Sequence, residues 1–276
     1  MTNEANVSVE NNAKAKGSNV VSGIIIAICL LIGWLIWKYI MGNPSNFIDN
    51  DPDGHPLPGN ILGMVYKGGF IVPILMGLLL MTLVFSIERF FVISKAAGKG
   101  SLDKFVNQVK EDVASGNINA AIDACDNQQG SVANAIRAAL VKYQEVKKEG
   151  FDSEKAEEAI QKEIEQATSL EMPMLEKNMT ILATLVSIGT LAGLLGTVSG
   201  MIKAFSGLAA AGAPDQAALA NGISEALINT ATGIATSTVA TIMYNYFTAK
   251  IDTLTYFIDE AGSSITQSYR RARGKN

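Results

Sequence analysis

The stretch NMTILATLVSIGTLAGLLGTVSGMI, Asn178–Ile202, decides the fold class because it has no charged side chain over roughly seven helical turns. A helix of about 20 mainly apolar residues is long enough to cross the hydrocarbon core of a bilayer. Three further runs reach that length: Gly17–Trp37, Gly68–Ile87 and Ala226–Ala249, the last beginning a turn or two earlier near Leu219. The sequence therefore predicts an all-α, polytopic membrane helix bundle.

The composition agrees with a membrane protein. Of the 276 residues, 48% are hydrophobic and 17% are charged, whereas soluble domains have about a quarter charged residues. The net charge of −4 does not indicate nucleic-acid binding. Cys29 and Cys125 are too far apart in this topology to form a disulfide, and His55 is the only histidine. We expect no metal site, no cofactor and no enzymatic activity, because no nucleophile, base and orienting group occur together.

The first apolar run has two interpretations. Lys14 and Lys16 followed by an apolar stretch are compatible with a signal peptide. However, the run is longer than the roughly 7–15 residues of a signal-peptide core, and no cleavage site of small residues follows it. We therefore predict an uncleaved membrane anchor.

Lysine and arginine near the membrane edges predict the orientation, because they are retained on the cytoplasmic side. Arg89 follows the second run, Lys177 precedes the third and Lys250 follows the fourth, whereas Gly207–Ile223 has no basic residue. The expected order is a cytoplasmic tail (1–16), an extra N-terminal transmembrane helix (17–40), a periplasmic segment (41–67), a transmembrane helix (68–94), a cytoplasmic helical region (95–177), a transmembrane helix (178–206), a periplasmic loop (207–218), a transmembrane helix (219–249) and a cytoplasmic tail (250–276).

The long polar region is expected to form helical extensions of the bundle. Ser101 is placed to cap a helix that ends near Ala114, and Ser153 to cap one that ends near Glu171. Pro173 is expected to end or bend the latter helix. These extensions are interpreted as a solvated stalk without chemistry. The proline-rich residues 43–60 are expected to be a loop.

Polar side chains recur along the third membrane run. At about 100° per residue, a stripe of hydroxyls covers an arc of roughly 140°; it consists of Thr180, Thr184, Ser187, Thr190 and Thr197. On the opposite side lie four glycines of the small-xxx-small type that brings membrane helices close together: Gly189, Gly193, Gly196 and Gly200. One face is thus expected to pack tightly and the other to present hydroxyls.

The fourth run has two polar strips that together cover about half of its circumference. One contains Glu225, Asn229, Thr232 and Thr236, and the next contains Thr230, Ser237, Thr241 and Tyr244. Such hydroxyls can simply join helices, at about 0.6 kcal/mol each. We favour the wall of a hydrated path, because a carboxylate at membrane depth costs about 2.5–3.5 kcal/mol unless it faces water or a partner.

Two charges are expected at the outer end of this path. Lys203 ends the third run and Glu225 opens the fourth, with a short Ala- and Gly-rich link between them. We predict that the two side chains pair, within or between subunits. The alternative is that Lys203 extends to the outer headgroups.

Two motifs resemble a known family. LAGLLGTVSGMIKAF, Leu191–Phe205, and GISEALINTATGIATS, Gly222–Ser237, resemble the paired membrane helices of the MotA/TolQ/ExbB proton channel family, most closely its ExbB branch. SIERFF, Ser86–Phe91, is similar to the cytoplasmic end of that family's first helix. The first run is an addition to the three helices usual in the family, and Lys203 stands where related sequences often have an uncharged polar residue.

The resemblance implies a homo-oligomer, a pentamer, in the inner membrane of a Gram-negative bacterium. Its central pore would hold an ExbD-like single-span partner whose aspartate carries the proton, and the motor would energise a TonB-like protein for transport across the outer membrane. By motif position, Thr197 and Thr230 would line the pore and Glu225 would be the important carboxylate. With the periodicity, the expected pore-lining residues are Thr197, Thr230, Glu225, Thr190, Ser187, Ser237 and Thr241.

Other functions remain open at this point. A TolQ-like role in envelope maintenance would use the same membrane chemistry with a different partner. A flagellar stator is less favoured, because the membrane-proximal prolines and charged lever of those proteins have no counterpart that we can place. A passive scaffold would use its hydroxyls only to join helices.

Overall fold

The computed structural model describes residues 21–210 and 216–273; for residues 208–210 and 273 it describes the backbone only. Throughout these ranges the regular structure is helical, as predicted. The helices are α1 (Val21–Met41), α2 (Ile61–Tyr66), α3 (Ile71–Ala96), α4 (Leu102–Ala114), α5 (Ile118–Gln128), α6 (Gly130–Glu149), α7 (Ser153–Glu176), α8 (Met179–Ala210) and α9 (Gln216–Arg273).

Among the described residues, four helical stretches are long and apolar enough to cross a membrane. They are Val21–Met41, Ile71–Ala96, the membrane part of Ser153–Gly207 and the membrane part of Gln216–Ala272. The prediction of a polytopic membrane protein is therefore confirmed. The chain divides into two compact units: the first contains the residues up to Ser86 and 180–244, and the second contains 87–179 and those from Asn245 onward.

In the first unit, α1 packs on α3 through a pair of glycines. A Cβ atom on Gly33 would lie 2.6 Å from the backbone nitrogen of Gly77, and one on Gly77 would lie 2.7 Å from Leu30. Close backbone approach at small residues is the usual way in which helices associate in lipid. The additional first helix is therefore an integral part of this unit.

The segment between α1 and α3 is more ordered than the predicted loop. The buried amide of Asn46 donates to the carbonyl oxygens of Ile40 and Met41 at 2.8 and 2.9 Å, and its oxygen accepts from Asn60 at 3.0 Å. Phe47 forms a single antiparallel bridge with Pro56. This hydrogen bonding gives the segment two 3-10 turns, Pro44–Asn46 and Ile48–Asn50, and fixes it to the end of α1.

The second unit has its own apolar core, formed by α4 to α7 and the second half of α9. Its fully buried side chains include Val109, Ile136, Leu140, Ile160, Ile258 and Ile265. Two ion pairs join α9 to neighbouring helices: Lys110 with Glu260 at 2.8 Å and Arg270 with Glu157 at 2.5 Å. The expected tail from residue 250 is thus helical as far as Arg273.

Two expectations for α7 are wrong. Asp152, rather than Ser153, is the N-cap residue, and the helix continues through Pro173 to Glu176. The chain breaks only at Asn178, whose φ of 62° is left-handed. A buried arginine lies at the end of this helix: the guanidinium of Arg89 donates to the carbonyl oxygens of Met174 and Leu175 at 3.1 and 3.2 Å. It thereby satisfies carbonyls that have no partner in a helix's last turn.

Ser101 is placed as predicted, at the N-cap of α4, although its side chain makes no capping hydrogen bond. The last turn of α1, Ile36–Met41, has π-helical hydrogen bonding, with Trp37 stacked on Tyr66 at 4.8 Å between ring centroids.

Candidate functional site

The glycines of α8 lie against α9. A Cβ atom on Gly193 would lie 3.0 Å from the Cα atom of Gly233, and one on Gly200 would lie 2.8 Å from the backbone nitrogen of Ala226. One on Gly196 would overlap the side chain of Asn229. The two helices therefore pack with their backbones in near contact, in an antiparallel register.

Hydroxyl groups meet across the edge of the same interface. Thr190 donates to Ser237 at 2.8 Å, and the hydroxyls of Thr197 and Thr230 are in contact. From the first pair to the second, α8 advances seven residues and α9 goes back seven. At a rise of about 1.5 Å per residue the two pairs are about 10 Å apart along the interface.

This arrangement differs from the predicted separation of glycines and hydroxyls onto opposite faces. Thr190 and Thr197 lie only about 40–60° from Gly193 around α8, close enough to reach α9 from the edge of the glycine face. Thr180, Thr184 and Ser187 lie further round and are exposed. The structure thus brings Thr190 and Thr197 to the α9 hydroxyls and leaves Ser187 apart from them.

A third polar pair continues the series. The ammonium group of Lys203 lies 2.5 Å from the carboxylate of Glu225, and their side chains are 54% and 12% exposed. The carboxylate also lies close to Gly69, where a Cβ atom would be 2.6 Å from it. Gly69 has a φ of 77°, which favours glycine. The carboxylate is therefore largely buried, while its cationic partner remains half in solvent.

One of the two polar strips of α9 is packed inside the unit. Asn229 and Thr236 are fully buried. The Asn229 amide donates to the carbonyl oxygen of Gly68 at 2.8 Å, and the Thr236 hydroxyl bonds back to Thr232. Asn229 thus joins α9 to the turn before α3. Sequence periodicity did not reveal this role, although Gly68 and Gly69 next to an apolar run are a signal of close backbone approach.

The remaining expected site residue, Thr241, is half-buried and bonds back to Ser237 at 2.7 Å. An apolar groove of about 580 Å³ adjoins Thr197 and is lined by Thr197, Val198, Met201, Ile202, Phe205 and Ser206. Within the described ranges, no three His, Cys, Asp or Glu side chains lie together as a metal site requires. The chemical groups of the site are therefore hydroxyls and one ion pair.

Comparison with known families gives one match, and a comparison with curated proteins gives none. Residues 127–260 match the model of the MotA/TolQ/ExbB proton channel family. The matched range contains α6, α7, α8, α9 as far as residue 260, and both members of all three polar pairs. Over these residues, the chain is therefore similar to the MotA/TolQ/ExbB proton channel family, as its motifs predicted.

Proposed function

We propose that the protein is the ExbB-like channel subunit of a proton-driven motor in the inner membrane of a Gram-negative bacterium. It would assemble as a pentamer around an ExbD-like single-span partner and energise a TonB-like protein. The match of residues 127–260 to a proton channel family supports the channel function. The proposed orientation, with the second unit in the cytoplasm, is supported by the basic residues Arg89, Lys177 and Lys250 at the membrane edges.

The observation that carries the proposal is the series of polar pairs between α8 and α9. Thr190 with Ser237, Thr197 with Thr230, and Lys203 with Glu225 lie along one edge of the interface. A hydroxyl both donates and accepts a hydrogen bond, so such a series can orient water or a carboxylic acid along its length. We infer that this edge faces the pore and that the partner's carboxylate moves along it.

The groove beside Thr197 supports a site for the partner. Val198, Ile202 and Phe205 are exposed on α8 next to the hydroxyl edge. A single membrane helix needs an apolar surface to pack on and polar groups for any carboxylate that it carries. This face of α8 offers both within about two turns.

A paired substitution tests the proposal. In liposomes that contain the protein and the co-purified partner, Thr230→Val is expected to reduce proton flux at least tenfold. Thr238→Val is the matched control, because Thr238 is exposed on α9 and its hydroxyl bonds only to Ile234 of its own helix. Unchanged flux in Thr230→Val would favour the passive scaffold. The co-purified partner itself distinguishes an ExbB-like from a TolQ-like function.

A further inference from the structure

Two adjoining cavities in the second unit form what we call the basic cleft. The first, of about 480 Å³, lies between the start of α5 and the end of α6; the second, of about 560 Å³, lies between the end of α4, α6 and the end of α9. Gly116, Tyr143 and Lys147 line both. Their volumes fall in the range of small-molecule sites, about 300–1,000 Å³.

The charge of this cleft is of one sign. Lys147, Lys148 and Arg271 line it, and none of its lining residues is acidic. None of these three cations forms an ion pair with another described side chain, whereas the nearby Lys142 and Arg270 are paired with Glu145 and Glu157. Acidic residues flank the lining in the sequence: Asp112 precedes Val113, and Glu149 follows Lys148. The residues that line the cleft itself carry three cations and no anion.

A tyrosine adds a hydrogen-bond donor to this lining. Tyr143 lines both cavities, although the residue is only 2% exposed. Burial raises the pKa of its phenol, so the hydroxyl stays protonated and can donate. Its ring packs edge-on against Tyr269, 5.0 Å between centroids, which fixes its direction.

We propose that the basic cleft binds a soluble, phosphate-bearing anion. Phosphate offers several strong acceptor oxygens, and lysine, arginine and tyrosine are donors that suit them. Lys147 and Lys148 approach from α6, Arg271 from α9, and the Tyr143 hydroxyl from between the two cavities. This site is separate from the polar pairs of α8 and α9 and does not depend on the proposed motor function.

A lipid headgroup is the less favoured source of phosphate. Arg271 lies 21 residues beyond Lys250 on the same continuous helix, which corresponds to about 30 Å. The apolar part of α9 ends at Ala249, so Arg271 lies far along this helix from its apolar residues. A soluble compound reaches this position without that restriction.

The test uses the full chain in phosphatidylcholine nanodiscs with inorganic pyrophosphate as the probe. Saturable, one-to-one binding is expected by calorimetry at physiological salt. The pair Lys147→Gln and Arg271→Gln is expected to weaken it at least a hundredfold, because each lost charged hydrogen bond is worth about tenfold or more. The matched pair Lys142→Gln and Arg270→Gln removes the same charge from the same two helices and is expected to change the affinity less than threefold.

A second measurement keeps the test valid if a variant fails to fold. In the wild-type protein, pyrophosphate is expected to protect Lys147 and Lys148 from acetylation but to leave Lys142 reactive, as read by mass spectrometry. Tyr143→Phe, which changes no charge, is expected to weaken binding several-fold. The proposal is overturned if binding is not saturable, if both charge pairs weaken it equally, or if protection requires phosphatidylglycerol in the nanodisc instead of pyrophosphate.

Discussion

Gly193 of α8 and Gly233 of α9 pack backbone to backbone: a Cβ atom on Gly233 would lie 2.7 Å from the Cα atom of Gly193. The same Cβ atom would lie 2.7 Å from the carbonyl oxygen of Gly189. Because both obstacles are backbone atoms, they cannot move aside as a flexible side chain would. This contact sets the separation of α8 and α9, and with it the distance between the hydroxyls that pair across their edge.

Gly233→Ala is therefore expected to separate the two helices and to destabilise the protein by about 1–3 kcal/mol, the usual cost of overpacking. The measurement is thermal unfolding in detergent, followed by proton flux in liposomes. Gly23→Ala in α1 is the matched control, because nothing lies within 4 Å of its Cβ position. Equal unfolding temperatures for Gly233→Ala and the wild type would contradict the close packing.

The buried guanidinium of Arg89 leads to a second prediction. Arg89 is 1% exposed and bonds to Glu88 and to two carbonyl oxygens of α7. Arg89→Met is expected to cost about 3 kcal/mol, because it removes the cationic partner of Glu88, which keeps only the Asn178 amide, and the donor of two carbonyls. Thermal unfolding measures this effect.

A surface pair provides the comparison for Arg89. Arg137 pairs with Asp126, and both side chains are about half exposed. Arg137→Met is expected to cost less than about 1 kcal/mol, as exposed ion pairs usually do. If the two substitutions have equal effects, Arg89 does not stabilise the end of α7 in the way described.

The sequence predicted the membrane helices better than the contacts between helices. Whether a helix enters a membrane depends on its own side chains, so length and apolarity were enough to find α1, α3, α8 and α9. In contrast, the last turn of α7 is bonded to Arg89, whose partner Met174 is 85 residues away. The periodicity of the sequence does not predict a contact between residues so far apart in the chain.

The same limit applies to the candidate site. The sequence shows which residues form the polar strips, but the surroundings of these residues depend on how neighbouring helices pack. Asn229 is buried because it meets Gly68, and Thr190 reaches Ser237 because four glycines bring the helices together. The pairing of Lys203 with Glu225 followed from the short link between their helices, which is a local property of the sequence.

The ion pair between α7 and α9 predicts a dependence of stability on pH. A hydrogen bond from Arg270 lowers the pKa of the Glu157 carboxyl below its ordinary value of 4.5. A carboxyl whose pKa is lower in the folded state stabilises the protein above its unfolded pKa, and this contribution is lost as the pH falls through the folded pKa. The difference in unfolding temperature between wild type and Glu157→Gln is therefore expected to shrink from pH 6 to pH 3. A constant difference would show that the charge of Glu157 does not contribute.

Lys203 and Glu225 are buried to different extents, so the loss of either side chain is expected to change the free energy of unfolding by a different amount. Lys203→Met leaves a carboxylate that is 12% exposed without its partner, which is expected to cost about 1–3 kcal/mol. Glu225→Gln leaves a lysine that is 54% exposed and can be hydrated, so its cost is expected to be below about 1 kcal/mol. Thermal unfolding of the two single variants gives this order directly.

Combining the two substitutions separates stability from ion transport. The double variant Lys203→Met, Glu225→Gln is expected to regain most of the stability lost in Lys203→Met, because no buried charge is left unpaired. Its proton flux with the partner is expected to stay as low as that of Glu225→Gln, since the carboxylate at the end of the polar series is absent. If the double variant recovered flux together with stability, Glu225 would act only by stabilising the contact between α8 and α9, and the polar edge would not need a carboxylate for transport.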